Sequence, residues 1–163
     1  MLKFLSTIIF LLFTSITFGF AEILKDIKVD GNKRISKETI IVLGKIEVDT
    51  DYDSNKLNFT LKNLYNSNFF KDVNLNFDNS VLTINVVENP IIENIEITGI
   101  KRESITKKLT ESIILKNRMS FTENQLKKDI TLIKNILKTN GYYFAKVDSS
   151  LVKNDEVNSV NIK

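Results

Sequence analysis

The pattern of apolar and polar residues predicts strands and helices in a fixed order. Residues 23–29 alternate with period two, apart from Lys25 on the apolar side, and this predicts a half-buried strand. Two helices should follow, one capped by Ser36 and the other by Asp53, because both side chains can accept backbone N–H bonds of a first helical turn. The apolar stripe of the second helix consists of Leu57, Leu61, Leu64 and Tyr65.

A hairpin completes this unit. Residues 70–78 alternate again, with one apolar face and one wholly polar face, as in a strand that covers a core on one side only. A tight turn at 78–80 then leads to a returning strand. The apolar residues of the two strands are Val73, Leu75 and Phe77, followed by Leu82, Ile84 and Val86. The predicted order is therefore β-α-α-β-β.

The same unit occurs twice. A shift that places Ile27 on Ile95 also places Gly31 on Gly99, with similar residues between and after these pairs. Self-similarity at a fixed spacing indicates tandem copies of one supersecondary unit. We therefore predict two modules, residues 22–90 and 91–163.

The seam between the copies lies at Pro90, the only proline of the chain. Proline fixes its own φ and biases the preceding Asn89 towards extended geometry. The sequence thus predicts a short, semi-rigid inter-domain hinge at Asn89 and Pro90.

Residues 1–21 have the features of a Sec-type signal peptide. Lys3 precedes the apolar run 4–18, and Gly19 and Ala21 supply the small residues that a cleavage site requires. A retained membrane anchor is the alternative, but serines and threonines interrupt the run, which falls short of the ~20 residues of a membrane span. Cleavage after Ala21 is the prediction.

The second copy ends differently from the first. Its long helix, capped by Thr122, should lead at 142–144 into a strand whose inner face carries Ala145, Val147, Ser149 and Leu151. The last strand, within 157–163, is shorter than its counterpart in the first copy and looks truncated. We therefore expect a longer protein, and a second module that is unstable without the rest of this strand. Alternatively, the gene product ends here and the second module is marginally stable.

Composition narrows the classes of function. The chain is 42% hydrophobic and 26% charged, which is typical of a globular protein. It has no histidine and no cysteine, so the commonest general base, the usual zinc ligands, the thiol nucleophile and disulfides are all excluded. A formal net charge of +3 is too small to indicate nucleic-acid binding.

Few residues are candidates for other chemistry. Residues 49–53 are similar to the start of a calcium loop, but Ser54 and Thr60 stand where a glycine and a bidentate glutamate are needed, so we interpret them as a capped loop. Basic pairs at 101–102, 107–108 and 127–128 could contact lipid phosphates, although such pairs usually form solvated faces. We predict a non-enzymatic protein without metal or cofactor.

Several segments resemble POTRA domains, above all those of outer-membrane protein assembly factors. They are Val-Asp-Gly-Asn-Lys-Arg-Ile at 29–35, the helix-to-strand passage 64–73, Val-Glu-Asn-Pro at 87–90, and Asn-Gly-Tyr-Tyr-Phe-Ala-Lys-Val at 140–147. The resemblance covers the whole chain after residue 21. Asn68 departs from it, since the family usually has glycine there, and the family's further modules and membrane barrel are not in this sequence.

The resemblance implies an α+β fold in which each module packs a three-stranded mixed sheet against two helices. It implies a periplasmic region that binds unfolded β-barrel clients and accessory lipoproteins for folding and insertion into the outer membrane. It also implies that 71–78 is an edge strand that binds clients by β-augmentation, with Asp72, Asn74 and Asn76 as candidate binding residues. An ordinary solvated strand face is the alternative.

Other functions stay open at this point. A related two-partner-secretion or translocation-module transporter would carry similar modules. A division-type periplasmic scaffold would have one module behind an uncleaved anchor, whereas this sequence predicts two modules and a cleavable signal. An unrelated periplasmic enzyme would need a catalytic constellation, and the sequence shows none.

Overall fold

The computed structural model describes residues 22–163 and shows two α+β modules in tandem. The first consists of β1 (Asp26–Asp30), α1 (Lys37–Gly44), α2 (Ser54–Asn66), β2 (Phe70–Asp78) and β3 (Val81–Glu88). The second consists of β4 (Ile91–Ile95), α3 (Glu103–Ser112), α4 (Glu123–Thr139), β5 (Leu151–Asn154) and β6 (Ser159–Ile162). The predicted order β-α-α-β-β is confirmed in both copies. The predicted signal peptide lies outside the described residues.

Each module has a three-stranded mixed sheet in which the last strand is central. The strand orders are β1-β3-β2 and β4-β6-β5. The first strand of each module runs parallel to the central strand and the second runs antiparallel to it. Ile27 lies opposite Leu82, and its counterpart Ile95 lies opposite Ile162, so the two sheets share one register.

Side-chain caps fix the helices of the first module. Ser36 accepts a hydrogen bond from the N–H of Thr39 at 3.2 Å, and Asp53 accepts one from the N–H of Lys56 at 2.9 Å. The left-handed residue after α1 is Lys45, with φ of 53°. Gly44 is the last residue of this helix and is buried against Thr60.

The core of the first module lies between the two helices and the sheet. Its fully buried members are Leu24, Ile40, Leu64, Leu82 and Ile84. Tyr52 is also buried, and its hydroxyl lies 2.6 Å from the buried Thr60 hydroxyl, which gives both polar groups a partner.

The predicted inner face is wrong where each module begins. Leu24 is fully buried, whereas Ile23 is 44% exposed. Before the chain reaches the sheet, Leu24 pairs with the 49–51 loop: its N–H donates to Thr50 O at 3.0 Å and its carbonyl accepts from Asp49 N at 2.7 Å. In the second module a register shift follows Ile92, which is buried in place of its neighbours.

Two residues of α2 do not lie where the stripe predicts. Tyr65 is 41% exposed and lies over β2. Asn63, which is not part of the predicted stripe, is half-buried, and its side-chain Nδ2 has no hydrogen-bond partner among the described residues. The helix is therefore rotated slightly towards Thr60 and Leu64, which are its two buried residues.

The two helices of the second module begin in different ways. α3 begins at Glu103, and the residue before it, Arg102, makes no side-chain cap. Thr122 caps α4 by accepting from Gln125 N at 3.2 Å, as predicted. Asp129, inside α4, is buried because its carboxylate accepts the N–H groups of residues 114 and 115.

The strand predicted from residue 142 is wrong over most of its length. β5 begins only at Leu151, and residues 142–150 are turn and coil with Phe144 97% exposed. In the first module β2 pairs with a central strand of eight residues, whereas β6 has four. Residues 145–149 therefore have no strand to pair with, and a strand forms only where its N–H and C=O groups have partners.

Candidate functional site

The longer edge of the first sheet is β2, which runs for nine residues and has β3 on one side only. The three residues predicted to bind clients lie on it: Asp72, Asn74 and Asn76 are all exposed, on the face away from the helices. Val73 is buried on the opposite face, with Leu75 and Phe77 partly buried beside it. The structure thus shows the predicted alternation of polar and apolar side chains along β2.

The hairpin turn decides which main-chain groups face the open edge. Asn79 and Ser80 both have positive φ, of 51° and 64°, which is the geometry of a two-residue type I′ turn. Asp78 and Val81 therefore close the hairpin as a hydrogen-bonded pair, and such pairs alternate with non-hydrogen-bonded ones along the ladder. Asn76 and Asn74 follow as hydrogen-bonded residues, so their main-chain groups point to β3.

The outward-facing main-chain groups accordingly belong to Val73, Leu75 and Phe77. One of them is already occupied, because Val73 N–H donates to the Tyr65 hydroxyl at 3.2 Å and to Asp72 Oδ1 at 3.0 Å. Tyr65 donates its own hydroxyl to Asp72 at 3.0 Å, so the three residues form one closed cluster. This cluster covers the edge at its start and leaves the stretch around Leu75 and Phe77 open.

Such an edge can accept one more strand through main-chain hydrogen bonds that do not depend on the partner's side chains. The partner would bond to Leu75 and Phe77, while Asn74 and Asn76 would flank it with short polar side chains. Sequence reasoning named the flanking residues and missed the bonding ones, because the side-chain pattern does not report the phase of the hydrogen-bond ladder. The part of Asp72, Asn74 and Asn76 in binding stays a prediction.

The predicted hinge consists of two residues held from opposite sides. Asn89 is buried; its N–H donates to Phe69 O at 2.8 Å and its side-chain amide to Asn68 O at 2.9 Å. The carbonyl of Pro90 instead accepts from Phe121 N, in the second module, at 2.8 Å. No spacer lies between the modules, since β3 ends at Glu88 and β4 begins at residue 91.

Glu88 organises the junction, and sequence reasoning missed it. Its side chain is 2% exposed, and Oε1 accepts the N–H groups of Lys33, Arg34 and Ile35 at 2.7, 2.8 and 2.9 Å. Arg34 Nε lies 3.1 Å from Glu88 Oε2, and Arg34 Nη2 donates to Asn89 O at 2.8 Å. Arg34 and Glu88 both lie in segments that resemble POTRA domains, 29–35 and 87–90. Nothing in the sequence, however, indicates that these two residues pair with each other.

The pKa of Glu88 reflects two opposing effects. Burial raises the pKa, because the charged carboxylate loses water. The N–H groups of Ile35, Lys33 and Arg34, together with the Arg34 guanidinium, outweigh burial and hold the pKa below its ordinary value of 4.5. The carboxylate is therefore ionised at neutral pH and acts as a fixed acceptor for the loop before α1.

The acidic loop at 49–53 acts as a capped connection. Asp53 caps α2, and the Thr50 hydroxyl donates to Glu47 O at 2.9 Å. Within residues 22–163, no three acidic side chains come together as a group that could hold a metal ion. Over the same range, no helix is long and apolar enough to cross a membrane.

These features define the class of small α+β modules that are joined in tandem and present an open sheet edge. Residues 23–89 and 90–163 each match the POTRA family, described as surface antigen variable number repeat. The chain belongs to the POTRA family. The two matched ranges meet at the predicted hinge.

Two outer membrane protein assembly factors are similar to this chain in sequence. The chain is 30% identical over 155 residues to the outer membrane protein assembly factor BamA of Neorickettsia risticii. The aligned stretch covers 95% of this chain and 21% of that protein. It is 28% identical over 113 residues to BamA of Neisseria meningitidis serogroup B, covering 68% and 14%. The chain thus spans about a fifth of the length of the first relative.

Solved structures show the same fold. The N-terminal domain of Omp85 from Thermosynechococcus elongatus has a TM-score of 0.56 at 15% identity, over 86% of this chain and 60% of that one. The first two POTRA domains of the periplasmic domain of Omp85 from Anabaena have a TM-score of 0.52 at 12% identity, over 86% and 92%. The predicted tandem POTRA architecture is confirmed.

Proposed function

We propose that this chain is the periplasmic POTRA region of an outer-membrane protein assembly factor. In this proposal it is exported by the signal peptide at 1–21 and receives unfolded β-barrel clients on the β2 edge of its first module. Accessory lipoproteins of the same machinery would bind elsewhere on its surface. Client handling would be non-enzymatic, by main-chain hydrogen bonding to an extended segment.

One observation carries the proposal: β2 is an edge strand whose main-chain groups at Leu75 and Phe77 are open, with exposed polar side chains beside them. Edge strands are usually protected by proline, by inward-pointing charges or by a covering segment. On β2 the Tyr65 and Asp72 cluster and a register shift between Phe70 and Asp72 lie at one end, and neither covers the main-chain groups of Leu75 and Phe77. An edge that is soluble yet open suits a receptor for many different client sequences.

Two other observations support the assignment. BamA of Neorickettsia risticii, an outer membrane protein assembly factor by name, aligns with almost the whole chain. The pattern of residues 1–21 favours export. The lipoprotein part of the proposal rests on the family resemblance alone.

Photo-crosslinking will test the client edge. A photoreactive amino acid at Asn74 or Asn76 of the purified chain should capture a urea-denatured outer-membrane β-barrel protein when the urea is diluted. The reason is that both side chains flank the place where an added strand would bond to Leu75 and Phe77. Gel mobility and mass spectrometry of the adduct give the yield and the contact position.

Two control positions make the result specific. Asn58 is exposed on α2 and reports nonspecific contact. Lys28 is exposed on β1, at the opposite edge of the same sheet, and reports binding there instead. We expect capture at Asn74 and Asn76 to exceed both controls severalfold, and equal capture at all four positions would show that β2 is an ordinary solvated edge.

A further inference from the structure

Tyr65 lies across the start of the open β2 edge. It follows the fully buried Leu64 near the end of α2, so the helix holds it in place although its side chain is 41% exposed. Its hydroxyl accepts the N–H of Val73 at 3.2 Å and donates to Asp72 Oδ1 at 3.0 Å. The N–H of Val73 points to the open edge, so in a wider sheet its acceptor would be a carbonyl group of the next strand. The Tyr65 hydroxyl therefore occupies the position of that carbonyl.

A break in the ladder lies directly beside this cluster. Phe70 is paired with Glu88 and Asp72 with Val87, so Lys71 is an extra residue that has no counterpart in β3. Such a bulge bends the strand and interrupts the regular order of main-chain groups along its edge. An added strand thus finds a regular ladder only on the side of the cluster that leads to the hairpin turn.

The length of this regular edge limits what can bind. It runs from Val73 to Phe77, a distance of about 14 Å for an extended backbone. The groups left for an added strand are the carbonyl of Val73 and both main-chain groups of Leu75 and Phe77. These groups can pair with about five residues of an extended segment.

The other side of the cluster opens into a cleft between the two modules. The cleft has a volume of about 940 Å³. Tyr65 and Lys71 line it on the first module, and Thr122 and Lys128 line it on the second. A strand that continued past Val73 would leave the first sheet and enter this cleft. Tyr65 therefore lies at the boundary between the β2 edge and the inter-module junction.

Attachment of α2 to the sheet does not explain the Tyr65 hydroxyl. The helix is already held by Leu64, which packs in the core of the module. The hydrogen bond between Tyr65 and Asp72 is exposed, and water can replace an exposed hydrogen bond at little cost in stability. The hydroxyl has a larger effect on what else can bond to Val73.

We propose that Tyr65 determines where a client strand bound to β2 ends. Its hydroxyl excludes a client carbonyl from the N–H of Val73, so the client pairs along the stretch from Leu75 to Phe77 and stays out of the cleft between the modules. The bound part of the client is then a segment of about five residues, whatever the length of the unfolded chain. The inference rests on the proposed function, because it names a residue that limits the client site.

The test compares the amide groups of three edge residues. The ligand is a synthetic peptide of about ten residues in which apolar and polar residues alternate, as in a strand of a membrane β-barrel. Hydrogen exchange is measured by NMR at Val73, Leu75 and Phe77 of the full chain, with and without this peptide. In the unsubstituted chain we expect slower exchange at Leu75 and Phe77 and no change at Val73.

Tyr65→Phe keeps the aromatic ring and removes the hydroxyl. The Val73 N–H then retains only its contact with the neighbouring Asp72 Oδ1 and can bond to a peptide carbonyl. Exchange at Val73 should slow about fivefold or more when the peptide is added. The peptide should also bind about threefold to tenfold more tightly. Tyr143→Phe is the matched control and should change neither result, since it removes the hydroxyl of a tyrosine that is 69% exposed in the second module.

Photo-crosslinking gives a second measurement. A photoreactive amino acid at Lys71, which is exposed beyond the cluster, should capture the peptide severalfold more often in the Tyr65→Phe chain than in the unsubstituted one. Tyr65→Ala, which also removes the ring, should increase the capture at least as much. Capture at Asn76 should be the same in all three chains.

The possible results separate this inference from the proposed function. Protection of Leu75 and Phe77 in both chains, with Val73 unprotected in Tyr65→Phe, would overturn the role of Tyr65 and leave the client edge in place. Protection of Val73 in the unsubstituted chain would do the same, because the peptide would then displace the hydroxyl. Exchange that is unchanged at all three residues in both chains would refute the client edge, and the role of Tyr65 with it.

Discussion

Replacing Leu64 by alanine is expected to lower the free energy of unfolding of the first module by about 3 kcal/mol. Leu64 is fully buried in α2 and belongs to the core cluster that includes Val73 and Leu82. The truncation removes apolar contacts and leaves a cavity that a helix held by its cap at Asp53 cannot collapse to fill. Urea unfolding monitored by circular dichroism measures the loss.

The control lies on the same helix. Asn58→Ala changes an exposed residue of α2 and should cost less than about 0.5 kcal/mol. Asn63 on the same helix is unsuitable as a control, because its side-chain Nδ2 is buried and has no hydrogen-bond partner within residues 22–163. Equal losses for the Leu64 and Asn58 variants would refute the described position of α2 on the sheet.

The second large effect is expected at Glu88. Glu88→Ala should destabilise the first module by about 3 kcal/mol, because it leaves the part-buried N–H groups of Lys33, Arg34 and Ile35 without their acceptor and removes the partner of the Arg34 guanidinium. Urea unfolding gives the size of the effect. Glu47→Ala, at an exposed position between α1 and α2, is the matched control and should change stability little.

Glu88 also gives a pH dependence of known sign. Its pKa is lower in the native state than the ordinary 4.5, so the native state binds the proton less tightly than the unfolded chain does. The stabilisation is therefore complete above the ordinary pKa and is lost as the pH falls through the lowered native value. In Glu88→Gln this part of the acid-side slope should be absent, and urea midpoints measured at several pH values below 5 will show it. A slope equal to that of the unsubstituted chain would contradict the assignment.

The fold could be predicted because local and long-range signals agree. Ser36, Asp53 and Thr122 each act as the predicted helix cap, and β2 and β3 show the predicted alternation. The repeat supplied the remaining information, since a module identified once could be recognised again. Periodicity reports which face of an element is buried, and this is what the core of each module depends on.

The missed strand at 142–150 has a different cause. Its sequence alternates as a strand should, but pairing depends on a partner far along the chain, and β6 covers only Leu151–Asn154. The alternation also failed at Leu24, where the 49–51 loop competes with the sheet for the main chain. In both cases the deciding interaction is between backbones, and side-chain patterns do not encode it.

Only part of the candidate site could be predicted, again because side-chain patterns do not encode interactions between backbones. Asn74 and Asn76 could be placed on a polar strand face, but the outward main-chain groups of Leu75 and Phe77 follow from the positive φ values of the hairpin turn. The contact between Arg34 and Glu88 joins residues at opposite ends of the module, and a single sequence gives no means of pairing them.

The junction at Asn89 and Pro90 determines how tension would spread through the chain. The central strand β3 leads directly into β4, so a pull along β3 reaches the second sheet without first stretching a slack linker. The bonds of Asn89 to Phe69 and Asn68 would carry that pull, together with the contact from the Asn158 side chain to Glu88 O at 3.2 Å. Because β2 lies antiparallel beside β3, a segment drawn along the β2 edge would load the ladder in shear, with its hydrogen bonds sharing the force. The two modules would then respond to traction as one mechanical unit.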